Sequence, residues 1–228
     1  MCHPDGVMSP RLNPPLAFLL ALSATNLGCR TTEQQVDPTV ILETSGGREL
    51  GVSTDYGVVF LGRTARAGGV DVAAWFGDGP SIEVSVIEPV GEGIFTADTD
   101  IFLPSVALSF RTPQAGEEVV IQGRDVEGRW RVPTTVARPD GADGLLLDIP
   151  LELEEPNDQT GAGIFVYDER GRSRLLGLLS GRVALTDSET GEVREYLTAV
   201  GPSTLWRLVS FRRDPHVLKR LPYRDDIR

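Results

Sequence analysis

From residue 39 to about residue 200 the apolar positions come in short runs rich in Val, Ile, Leu and aromatics, each bounded by turn residues. This spacing predicts strands over 39–43, 57–62, 70–76, 82–87, 93–96, 106–110, 118–122, 129–134, 145–149, 163–167, 175–179 and 195–200. Gly77-Asp78-Gly79-Pro80 reads as one turn. Asp168-Glu169-Arg170-Gly171 and Asp187-Ser188-Glu189-Thr190-Gly191 suit type I turns closed by a left-handed glycine. A dozen short strands predict an all-β protein, either a pair of barrels or a β-sandwich. One short C-terminal helix is expected. Gly201-Pro202-Ser203-Thr204 supplies a breaker and a cap, Leu205, Leu208 and Val209 then share one face, and Pro215 ends it. No internal repeat is visible.

The chain has 228 residues and a net charge of −11, enough for one sizeable domain or a two-lobed body. The charge is segregated. Residues 30–206 carry 14 basic and 29 acidic groups, whereas residues 207–228 carry seven basic and three acidic ones. An acidic body excludes a nucleic-acid partner, whose phosphates need a basic surface. The basic tail reads as a solvated or self-docked segment, or as an electrostatic contact for an anionic membrane or partner. Cys2 and Cys29 are the only cysteines, so no disulfide framework is implied.

The apolar run 16–24 is too short to span a bilayer and has the length of a signal h-region. It leads into Asn26-Leu27-Gly28-Cys29, which resembles a bacterial lipobox, with Asn26 where Leu is usual. A start at Met8 leaves Arg11 as the positive charge of the n-region and removes Cys2. The resemblance implies lipidation of Cys29 and a membrane anchor in the bacterial cell envelope; the other reading is a cleaved signal and a secreted or periplasmic protein. The expected division is 1–28 signal peptide, 29–38 tether, 39–112 first β lobe, 113–210 second β lobe with the helix, and 211–228 basic tail.

Asn157-Asp158-Gln159-Thr160-Gly161-Ala162-Gly163, followed by Leu175 to Gly181, resembles the nucleophile segment of trypsin-like serine peptidases. Two further stretches carry the resemblance: Ala115-Gly116-Glu117-Glu118-Val119-Val120-Ile121-Gln122-Gly123 looks like the opening of that family's second barrel. Ala199 to Leu205 looks like its last strand entering the C-terminal helix. The resemblance implies a trypsin-like double β-barrel, with the site between lobes and Thr160, Gly161 and Ala162 in the oxyanion-like turn. The catalytic set is degenerate. Thr160 stands at the Ser position, and no His occurs between residues 4 and 215. Asp100, or equally Asp98, occupies the Asp position. A hydroxyl is a poor nucleophile without a positioned base. The expectation is therefore a non-enzymatic binding or scaffold module, with an extended peptide as partner in the inter-lobe cleft. A hydrolase of atypical mechanism using Thr160 is the alternative, and an unrelated β-sandwich surface lipoprotein is a third reading.

Other constellations are weaker. Lys219 and His216 are the only downstream bases and sit in the tail. Glu152, Glu154, Glu155 and Asp158 form an acidic cluster whose spacing matches no EF-hand loop, so no metal or cofactor is expected. A Glu152–Asp98 glycosidase pair has no spacing to support it. Trp75, Trp130 and Trp206 each sit in an apolar pattern and read as packing residues.

Overall fold

A computed structural model describes residues 37–44, 47–62, 73–75, 82–91, 93–99, 103–125, 127–140, 144–153, 159–187 and 190–213. The first six strands are β1 (Thr39–Thr44), β2 (Gly47–Thr54), β3 (Gly57–Phe60), β4 (Ala73–Trp75), β5 (Ile82–Gly91) and β6 (Ile94–Thr99). The second six are β7 (Glu118–Asp125), β8 (Gly128–Asp140), β9 (Gly144–Leu147), β10 (Gly163–Tyr167), β11 (Ser173–Thr186) and β12 (Val193–Val200). Helix α1 (Pro202–Arg213) follows. Both sets close into antiparallel barrels with one connectivity, β1-β2-β3-β6-β5-β4 and β7-β8-β9-β12-β11-β10. The β-sandwich alternative is thereby corrected: each set of strands closes on itself instead of forming one of two facing sheets.

Two strand expectations need correction. Residues 106–110 are not a strand. They belong to the inter-barrel linker, which makes single parallel bridges from Val106 to Thr54 and from Leu108 to Leu175. Val106 and Leu108 are buried between the barrels and Phe110 is exposed, so the linker alternates as a strand does without joining a sheet. Conversely, β2 was not expected, because Gly47, Arg48, Glu49 and Gly51 break its apolar pattern. Its apolar residues face away from its own barrel. Leu50 packs in the core of the second barrel, and Val52 in the layer between barrels. Gly51 points the other way, where a Cβ would lie 3.0 Å from both Leu42 Cδ1 and the Val59 carbonyl oxygen.

Three apolar clusters follow. The second barrel is filled by Val119, Ile121, Val136, Leu145, Leu147, Ile164, Leu176 and Leu197 among others. The first barrel holds Val40, Leu42, Val58, Phe60, Ala97 and Leu103. Between them lies a shared layer of Val52, Val59 and Ile94 from the first barrel, Phe165, Leu175 and Leu178 from the second, and Leu205, Leu208 and Val209 from α1. A polar staple adds to it at the chain's entry. The Asp37 carboxylate accepts from Thr39 N–H and Oγ1, from Gln122 Nε2 at 3.1 Å, and from the Arg124 guanidinium, so the chain two residues before β1 is bonded to β7.

Candidate functional site

The Thr160 turn sits where the barrels meet. Thr160 C=O accepts from Leu50 N–H of β2 at 3.2 Å, and Gly161 N–H donates to Leu179 C=O of β11 at 2.8 Å. Ala162 N–H donates to Gln159 C=O at 3.0 Å, and Leu179 N–H donates to Ala162 C=O at 2.8 Å. The turn is thus stitched to itself, to the second barrel and to the first. Gly161 has φ +90°, and a Cβ there would stand 2.1 Å from the Leu50 carbonyl oxygen. Only glycine satisfies both the left-handed backbone and that approach. Gly163 is crowded too, with a Cβ falling 2.5 Å from the Phe165 ring.

The chemistry of the turn is limited by this geometry. The Thr160 side chain is nearly covered, at 5% exposure. The N–H groups of Gly161 and Ala162 are occupied by main-chain carbonyls. Asp98 lies on β6 opposite Val86, with Oδ1 3.1 Å from the Cβ position of Gly57. Asp100, Asp158, Glu154, Glu155, Cys29, His216 and Lys219 lie outside the described residues. Glu152 is exposed on the turn after β9, on the second barrel, while Asp98 is on the first. No group of three or more His, Cys, Asp or Glu suited to a metal occurs among the described residues. Trp130 covers Gly123, and Trp206 donates its indole N–H to Ser109 C=O at 3.0 Å. Both serve packing, as their apolar context predicts.

Beyond Leu179 the environment of β11 changes. Its pairing with β10 ends at Leu178, whereas its pairing with β12 continues to Thr186 after a bulge at Leu179/Gly181. Among the described residues, Gly181–Thr186 therefore has a strand on one side only. Ser180 Oγ donates to Thr198 Oγ1 at 3.0 Å at the root of this segment. Sequence reasoning found the turn but not Leu50 or the β11 edge. The signal for the turn was its resemblance to the nucleophile segment, which says nothing of what packs against it.

The shifted titrations lie elsewhere. Burial disfavours the Glu117 carboxylate, but the Arg111 guanidinium and Gln114 N–H outweigh it and lower its pKa. Burial also lowers Arg131, helped by neighbouring Arg129 and opposed by Asp37. Asp168 is held down to about 2, first by the N–H of Arg172, then by the side chains of Arg174 and Arg172 and the N–H of Arg170, against a desolvation cost.

No family model and no curated protein matches this chain. Solved structures do. The inactive form of the Rv3671c protease superposes with TM-score 0.56 at 14% identity, over 76% of this chain and 88% of that one. The active form of the Mycobacterium tuberculosis enzyme gives 0.54 at 12%, over 92% and 93%. A serine endoprotease from Yersinia pestis gives 0.54 at 13% identity, over 78% of this chain and 64% of its own. A human astrovirus serine protease gives 0.51 at 14%, over 73% and 91%. At such identities the likeness is one of fold. With two six-stranded barrels of one connectivity, a glycine-bearing turn at their junction and a closing helix, the chain has the trypsin-like double β-barrel fold of serine proteases.

Proposed function

We propose that the chain is a non-enzymatic peptide-binding module of the bacterial cell envelope, exported by residues 1–28 and held on a membrane through a lipidated Cys29. The observation that carries the non-enzymatic reading is the junction turn. A threonine replaces the expected serine, its side chain is 5% exposed, and the chain has no His between residues 4 and 215 to take its proton. The peptide-binding reading rests on Gly181–Thr186. Main-chain N–H and C=O groups on an open strand edge recognise an extended peptide by strand addition, and this edge starts beside the turn. The net charge of −15 over residues 30–206 favours a basic peptide.

The test is intact mass of the native protein from its own host, with fluorophosphonate labelling of the wild type and Thr160→Ala. An acylated N-terminal Cys29 and no labelling of either form are expected. Labelling that disappears in Thr160→Ala overturns the non-enzymatic reading in favour of a hydrolase. An unmodified Cys29 removes the membrane anchor.

A further inference from the structure

The outer wall of the β7–β8 hairpin gathers positive charge in a protein of net charge −11. Across this ladder Gln122 lies opposite Arg131, and Arg124 opposite Arg129. Directly opposed residues and those two apart share a face, so the three arginines stand together. Trp130, between them in the chain, packs the other way against the barrel core. Like charges directly opposite each other destabilise a sheet. One carboxylate offsets them: Asp37 binds the Arg124 guanidinium, whose Nε is buried without an acceptor. Arg129 is exposed and has no ion pair among the described residues. Arg131 donates to the Tyr167 hydroxyl, on a side chain 41% exposed. Burial and then Arg129 lower the Arg131 pKa, against Asp37. Asp125, at the hairpin tip, already accepts from the N–H groups of Glu127 and Gly128. Three guanidiniums thus face one carboxylate, with positive charge in excess.

We propose that Arg124, Arg129 and Arg131, bordered by the Tyr167 hydroxyl, form a binding site for a phosphate group, carried by a small ester or by a lipid headgroup. Charge and shape select the ligand. A phosphate monoester carries about −1.5 to −2 charge at pH 7, which matches the excess, and its oxygens accept from guanidinium forks in pairs. A single carboxylate brings half that charge, and Asp37 already supplies one. The donors are held by a strand ladder rather than by loops, and Tyr167 adds a hydroxyl from β10. The site uses no residue of the Thr160 turn or of the Gly181–Thr186 edge. Asp37 follows Cys29 by eight residues, so a headgroup beside an anchored N-terminus is one source of the phosphate, and a soluble ester is the other.

The experiment titrates the full chain with glycerol 3-phosphate by calorimetry, with glutarate as a dicarboxylate of similar charge. It also measures sedimentation with vesicles of phosphatidylcholine alone or with added phosphatidic acid. Saturable binding in the millimolar range is expected, weakened about tenfold in Arg129→Gln, which removes one charged donor at an exposed position. Asp37→Asn removes the competing charge while keeping Oδ1 as acceptor for Thr39 and Gln122, and should tighten binding severalfold. Arg129-dependent binding of glycerol 3-phosphate in solution supports the site with a soluble ester as its source. A phosphatidic-acid increment that Arg129→Gln abolishes, without binding in solution, supports it with the headgroup as source. Absence of both overturns the proposal, as does glutarate binding equally tightly, or binding that survives both Arg129→Gln and Arg131→Gln. Weaker binding in Asp37→Asn at an unchanged melting temperature also overturns it.

Discussion

The two barrels share a strand order but are not equivalent. In the second barrel alternating residues fill the interior, as Val119 and Ile121 or Ile164 and Val166 do, while Phe165, Leu175 and Leu178 face the shared layer. The first barrel lends apolar residues outward. Leu50 enters the core of its neighbour, and Val52, Val59 and Ile94 join the layer shared with α1. Its own described cluster is smaller. Among the described buried residues, Leu50 of the first barrel thus enters its neighbour's core, and none of the second barrel enters the first.

The largest perturbation of this asymmetry is Gly161→Ala. A Cβ would overlap the Leu50 carbonyl and impose a residue at φ +90°, so a loss of about 3 kcal/mol or more is expected in denaturant unfolding. Leu50→Ala comes next, at about 2–5 kcal/mol. Its hydrogen-exchange footprint sharpens the comparison. Protection should fall in β10 and β11, although Leu50 belongs to β2, whereas Leu42→Ala should lower protection in the first barrel. A Leu50→Ala footprint confined to β1–β3 would show two self-sufficient barrels. Trp206→Phe keeps the packing and removes the bond to Ser109 C=O, for about 1 kcal/mol, read from the unfolding midpoint.

The smallest effect is that of acid on the β10–β11 turn. The folded pKa of Asp168, about 2, lies below its unfolded value of about 3.9. The charged form is therefore favoured by folding, so its contribution is complete above about pH 4 and is lost as pH falls towards 2. Asp168→Asn should flatten the stability–pH curve across that window, and an unchanged slope would assign the acid sensitivity to other carboxylates.

What was legible in the sequence follows the same asymmetry. In the second barrel β9, β10 and the first half of β11 are buried on both faces and read as continuous apolar runs, whereas the exposed half of β11, Gly181–Thr186, was missed. In β2 the inward positions are Glu49, Gly51 and Ser53, while Leu50 enters the other barrel's core and Val52 the shared layer, so no single interior explains the pattern. Val106 and Leu108 mislead in the opposite sense, alternating between two barrels rather than within a sheet. At the site, Thr160 and Gly161 were visible because their segment resembles the nucleophile turn of trypsin-like peptidases, and the left-handed, crowded backbone at Gly161 explains its glycine. Leu50 was not, since it is 110 residues away in the chain and touches the turn through its main chain.

The staple at Asp37 has a mechanical consequence. Whatever holds the N-terminus pulls on the chain just before β1, and a bare strand end loaded there would peel off residue by residue, starting at Thr39. Asp37 diverts that load through Gln122 and Arg124 into β7 before β1 feels it. It works as strain relief at a cable entry, and Asp37→Ala should lower the unfolding force when the molecule is pulled from its N-terminus in optical tweezers while leaving a pull from the C-terminus unchanged.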